Sequence, residues 1–287
     1  MKRKQWLLGV AGLAMSGLAL AAGPGAARKR LEASMLVTGD INVAPDGSVT
    51  GYTLDRQERI PGEIVGLIGA AAPKWRFDPV MRDGHAVAAH AHMTLRLVAK
   101  RESPDDSQFT ARIASATFGE EGAGGEQISY ASRAAPAYPM NAAKAGVEGT
   151  VYLLLRVGRD GKVADADIQQ VNLGVVGSDS EMNVWRNVLA KPALRVAKDW
   201  TFNVPTTGAH ANDPYFYATV PIAYHLNRGT GPHPDDRYGT WQGYVPGPKQ
   251  DISWAKDAQG SSADALPDDG LFLVNSGLKL VTPLDNG

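Results

Sequence analysis

Residues 149–171, GTVYLLLRVGRDGKVADADIQQV, decide the fold. An alternating apolar run reaches Asp160-Gly161 and the alternation then resumes, which is the strongest short-range hairpin signal a sequence offers. The chain contains a second such place. With Asp46-Gly47 laid on Asp160-Gly161, an offset of 114 residues, Val37, Ile41, Val43, Val49 and Leu54 fall on Val151, Leu155, Val157, Val163 and Ile168.

Each predicted hairpin leads into a stretch of helix length. The first runs from Ile60 through Ala71, with Ile64, Leu67 and Ile68 at helical spacing and Pro61 in the first turn. The second runs from about Ser180 through Lys198, and Pro192 is expected to kink or split it. Each helix then meets a Trp-x-Phe segment, PKWRFDPV at 73–80 and AKDWTFNVP at 197–205, whose two aromatics share one face of an extended chain. Beyond Gly-containing loops at Asp83-Gly84 and Thr207-Gly208, each copy ends in an alternating strand, HMTLRLV from His92 and YATVPIAYHL from Tyr217. The unit is hairpin, helix, strand, written twice.

This pattern predicts an α+β fold of two small domains, each a helix packed on a roughly three-stranded antiparallel sheet, with an extended C-terminal tail. Trp75, Phe77, Trp200 and Phe202 are its largest core pieces. The expected boundaries are 31–100 and 127–227. Between them, 101–126 includes RESPDDSQ and GEEGAGG and reads as a linker. The tail, 228–287, has too many aromatics for disorder, among them Trp241, Tyr244 and Trp254. It is expected to run extended over both domains, with LFLVNSGLKLVTPL (271–284) forming a last hairpin.

At the other end, Lys2, Arg3 and Lys4 precede an apolar run from Trp6 to Ala22 that closes on small residues, the pattern of a secretory signal peptide over 1–22 cleaved after Ala21 or Ala22. An uncleaved anchor is the competing reading, against which stands a run shorter than the ~20 residues a membrane helix needs. Removing those three basic residues from the chain's 29 leaves 26 against 30 acidic, a charge of about −4, which gives no reason to expect nucleic acid or an anionic membrane as a partner. The absence of cysteine excludes disulfides, thiol catalysis, thiolate metal sites and a lipoprotein anchor.

PAYPMNAAKAGVEGTVYLLLRVGRDGKV (136–163), followed by a helix, DWTFNVP and ATVPIAYHL, resembles the C-terminal domain of TonB-type energy transducers. The matching positions are Pro136, Tyr138 and Pro139, then Ala142 or Ala143, Gly146 and Gly149, the Asp-Gly hairpin, the aromatic pair Trp200 and Phe202, and a final strand carrying Pro221. The resemblance covers roughly Gln127 to Asn227. The first copy, about Met35 to Lys100, resembles the same domain without the Tyr-Pro prologue.

The resemblance implies a periplasmic domain of a Gram-negative bacterium whose exposed sheet edge pairs with a short peptide of a TonB-dependent outer-membrane receptor. The edge it points to is the final strand, with Ala218, Val220, Ile222, Tyr224 and Leu226 as partner-binding residues and Pro221, which has no amide donor, on an edge or at a bulge. This chain departs from a force-transducing TonB in having a cleavable-type signal, no His in that segment and no long Pro-rich spacer. The expectation is a non-enzymatic binding protein of the envelope linked to transport, with no cofactor and no stable membrane anchor; the alternative is a structural homodimer formed through the same strands. No Gly-x-Ser-x-Gly elbow, His-Glu-x-x-His or phosphate loop appears. His85, His90 and His92 raise a metal site as an alternative to exposed histidines, but zinc needs three or four ligands and their orienting partners. Asp235-Asp236 and Asp268-Asp269 read as solvated turns.

Overall fold

The structure is a computed structural model and describes residues 31–101, 109–120, 125–208, 210–226, 237–258, 264–268, 270–274 and 276–284. The expected signal segment and the Asp235-Asp236 pair lie outside the described residues. In chain order the first sheet begins with β1 (Glu32–Val43) and β2 (Val49–Leu54), followed by α1 (Gly62–Ala71), β3 (Val80–Arg82), β4 (His85–Val87), β5 (Ala89–Arg101) and β6 (Phe109–Glu120). Next come β7 (Ser129–Ser132), α2 (Met140–Lys144), β8 (Gly149–Gly158), β9 (Val163–Leu173), α3 (Asp179–Ala197), β10 (Thr201–Asn203) and β11 (Tyr215–Tyr224). Two short strands, β12 (Gln242–Tyr244) and β13 (Phe272–Leu273), belong to the tail.

The fold is α+β and mostly sheet. In the first sheet β1 is central: β5 pairs along one side, β2 and β12 share the other, and β6 extends the sheet beyond β5. In the second sheet β8 is central between β9 and β11, and β13 lies outside β11. All these pairings are antiparallel. Each sheet turns one face to its helix, and the alternation read from sequence now has a location. Met35, Val37, Ile41, Met93, Leu95 and Leu97 bury with Ile64 and Ile68 of α1 in one core, while Val151, Leu153, Leu155, Val220 and Ile222 bury with Leu189 and Ala193 of α3 in another.

The two Asp-Gly turns do the same work. Gly47 and Gly161 have φ of 80° and 74°, the left-handed region that glycine enters without steric cost. Asp46 Oδ1 accepts from the Ser48 amide at 2.9 Å and Asp160 Oδ1 from the Lys162 amide at 3.1 Å. Each Trp-x-Phe segment then returns to its turn: the Phe77 amide donates to the Gly47 carbonyl at 2.9 Å, and the Phe202 amide to the Gly161 carbonyl at 2.8 Å. That return places Trp75, Phe77, Trp200 and Phe202 inside the two cores. Edge-on contacts complete each aromatic cluster, from Phe118 onto Trp75 and Phe77, and from Tyr130 onto Trp200.

Four expectations need correction. Residues 101–126 do not serve simply as a linker, because β6 lies within them; Phe109, Ile113 and Phe118 are buried, and the sheet gains a strand between the polar flanks. The sheets accordingly exceed three strands. Pro192 neither splits nor ends its helix: α3 runs through it. The lost amide bond is outweighed by burial of Leu189, Ala190, Ala193 and Ala197 and by a capping box in which Ser178 and Glu181 satisfy each other. Finally, 271–284 forms no hairpin, since its arms go to different sheets: Phe272 and Leu273 pair with β11, whereas Leu280 bridges to Phe77.

The tail crosses between the sheets repeatedly. Tyr238 bonds Thr38 and Asp55 beside β1, and β12 pairs with β1. Val245 then exchanges both backbone bonds with Leu173 of β9. Ile252 and Ala255 cover Leu154 on the face of β8 away from α3. Further on, Ala265 accepts from Thr117 of β6, and the Leu278 amide donates to the Phe118 carbonyl.

A Cβ at position 161 would come 2.2 Å from the Phe202 carbonyl oxygen on a backbone already at positive φ. Gly161→Ala is therefore expected to cost roughly 2 kcal/mol or more and lower the urea midpoint. Gly51→Ala, with nothing within 4 Å of the new methyl, should leave the midpoint unchanged.

Candidate partner-binding edge

β11 is the element to which the sequence reading attached binding, and its backbone has two unequal sides. Toward β8 it pairs continuously from Tyr215 to Tyr224. Toward the other side, among the described residues, only Ala218 and Thr219 pair, with Leu273 and Phe272 of β13, and the Val274 amide donates to the Tyr217 carbonyl at 2.7 Å. Because N–H and C=O of one residue point the same way in an antiparallel strand, that bond makes Tyr217, Thr219, Pro221 and Ala223 the outward-facing positions. Pro221 is thus turned away from β8, and its missing N–H leaves the ladder to β8 intact.

The named side chains are placed otherwise than expected. Ala218, Val220, Ile222 and Tyr224 face the core beneath α3 rather than a partner, because residues two apart share one face of a strand and the face under the helix must be apolar. Leu226 lies beyond the strand end, its amide donating to Glu148 Oε1 at 2.9 Å. Whatever this edge offers a partner is therefore main chain, together with the half-buried Tyr217 and Ala223 on the opposite face, where Thr219 is itself buried.

The Pro-x-Tyr-Pro prologue fastens the end of β11. Pro139 is the N-cap residue of α2, the Tyr138 hydroxyl donates to the Val147 carbonyl at 2.7 Å, and the Tyr138 ring meets Tyr224 edge-on at 5.3 Å; Pro136 lies half-buried just before them. Gly146 closes α2 at φ 70°, and a Cβ on Gly149 would come 2.4 Å from the Asn172 carbonyl oxygen, so both glycines are dictated by the backbone. Burial raises the Tyr224 phenol well above its ordinary pKa.

Behind β11 the helix-free faces of the two sheets meet. Arg96 of β5 is buried there; it donates to the Tyr152 hydroxyl at 3.1 Å, to Ser34 Oγ and to the Asp264 carbonyl, and Asp264 also accepts from Ser115 at 3.0 Å. Nothing in the sequence pattern marked Arg96, since its partners come from three distant segments. A cleft of about 660 Å³ opens beside this junction, lined by His92, Thr94, Thr117, Glu126, His210 and Phe272 among others.

The histidines are dispersed. His92 and His90 flank Asp40 at 3.2 and 4.0 Å on the surface of the first sheet, and His85 lies apart in β4. Among the described residues no group of three or more His, Cys, Asp or Glu is placed to hold a metal ion. Asp268 is more than a solvated turn: it pairs with His225 at 2.8 Å, just past β11, and Arg237 donates to the other ring nitrogen of that histidine.

With prologue, α2, β8 and β9 in place, residues 134–174 match the family model described as Gram-negative bacterial TonB protein C-terminal. This part of the chain is TonB C-terminal-like. The match takes in the prologue, both glycines and the Asp160-Gly161 hairpin and ends before α3, so Trp200, Phe202 and β11 lie outside it. It supports a TonB-like protein with a part in envelope-protein interaction. No curated protein and no solved structure matches the chain.

Burial raises the Tyr152 phenol to about 12, against the opposing pull of the Arg96 guanidinium. A folded-state pKa above the unfolded value near 10 contributes stability that is complete below pH 10 and lost as the pH rises through 12. Thermal midpoints should therefore fall between pH 10 and 12, and Tyr152→Phe should make that fall shallower.

Proposed function

We propose that this chain is a non-enzymatic periplasmic protein of a Gram-negative bacterium, built from tandem TonB-like units at 31–100 and 127–227 and held together by the tail from 228. It binds an envelope protein, a TonB-dependent outer-membrane receptor in the first instance, by adding a strand to the outer side of β11, and so takes part in transport across the envelope. The observation that carries the reading is the asymmetry of β11, paired along its whole length on one side and, among the described residues, only at Ala218 and Thr219 on the other. Strand addition draws its affinity from such main-chain groups, which agrees with an edge whose flanking side chains face inward. Both Trp-x-Phe segments returning to an Asp-Gly turn support the tandem arrangement.

The test is site-specific photo-crosslinking in intact cells, with the reactive group at Ala223, which is half-buried at an outward position, and a control at exposed Lys162. Tyr224 is unsuitable because it is buried against Tyr138. Adducts from Ala223 alone that mass analysis identifies as a receptor plug or its N-terminal peptide support the reading. Adducts with a second copy of this chain would replace it with a homodimer formed through the same strands, and the absence of adducts would end it.

A further inference from the structure

The edge assigned to the partner already carries three residues of the protein's own tail. We propose that β13 is a displaceable plug, and that the incoming partner is an extended segment of about four consecutive apolar residues which takes the place of Leu271–Val274 on β11. This rests on the reading of β11 as the partner edge and adds to it both the kind of segment recognised and the event that admits it.

The plug shows what the edge accepts. Leu273 is buried in the core beneath α3, and Leu271 packs against the same core. On the opposite face Val274 is buried with Leu154 and Ile252, beside Tyr217 and Trp254, while Phe272 lines the cleft. An occupant is therefore apolar on both faces, and proline is excluded at the positions of Phe272 and Val274, whose amides point at β11.

The plug is also short for a reason that can be located. Its register would bring Gly270 opposite Pro221, which has no N–H to offer, and there the tail turns away, the Gly270 amide donating instead to the Pro267 carbonyl at 2.8 Å. Among the described residues none pairs with Ala223 on this side. A longer strand in trans can bridge the gap at Pro221, use its carbonyl and pair with Ala223, so it gains bonds the tail does not make. The first sheet shows the full version of such an edge: β5, placed as β11 is, pairs with β6 from Ala91 to Arg101.

Native-state hydrogen exchange on the full chain tests the plug without any partner. The Val274 amide is expected to exchange at least about 10³-fold faster than the Leu153 amide at the centre of β8, through local opening; equal rates would overturn the proposal. In a second measurement, a fluorescein-labelled peptide copying residues 268–277 is titrated into the full chain and into Val274→Pro, which removes the bond to Tyr217. The variant should bind it at least tenfold more tightly, and equal binding, or none by a variant whose β8 amides remain protected, would also overturn the proposal. Neither readout involves a receptor, so failure here is distinct from failure of the crosslinking test.

Discussion

The return of each Trp-x-Phe segment to its Asp-Gly turn is the contact on which the architecture depends. One main-chain bond, from Phe77 to Gly47 or from Phe202 to Gly161, closes the path from hairpin through helix back to hairpin. It requires a glycine at positive φ, since a Cβ there would come 2.0 Å (Gly47) or 2.2 Å (Gly161) from the phenylalanine carbonyl oxygen. Once it forms, the indole and phenyl rings can only point under the helix, and the strand that follows is delivered alongside the central strand.

Each closed unit leaves edges, and the tail and β6 occupy many of them. β6 covers β5, β12 covers the first part of β1, and Val245 caps the end of β9. The tail also supplies a missing piece. β7 pairs with the second Trp-x-Phe strand, β10, whereas at the first Trp-x-Phe segment Leu280 lies opposite Phe77 and Thr282 Oγ1 accepts from the Arg76 amide. Polar packing between the sheets centres on Arg96, whose buried charge is met by Asp264 and by the Tyr152 hydroxyl. Removing one partner from such a group leaves the other uncompensated, so the tail acts on the relative placement of the sheets as well as on their edges.

The strands, turns and helices were legible because their signals are local. Alternation over a few residues, Asp-Gly between two runs and apolar residues at helical spacing each follow from backbone geometry, and the aromatic pairs were correctly assigned to the core. β6 carries a readable signal in Phe109, Ile113 and Phe118, but its charged and glycine-rich flanks have the composition of a linker. The sense of β11 was harder to read. Alternation shows that two faces differ without showing which one meets the helix, and the residues nominated for a partner proved to be the core-facing set.

By itself the sequence determined where the Asp-Gly hairpins lie, which aromatics are large enough to fill the cores, and that Pro221 must lie on an edge or at a bulge. The tertiary structure alone decided what covers each edge. Backbone N–H and C=O groups are the same at every residue, so an unpaired edge has no signature of its own in the sequence, and its occupant is set by where distant chain segments come to lie. Arg96 is the side-chain counterpart: its partners Ser34, Tyr152 and Asp264 become neighbours only when two sheets and a tail converge.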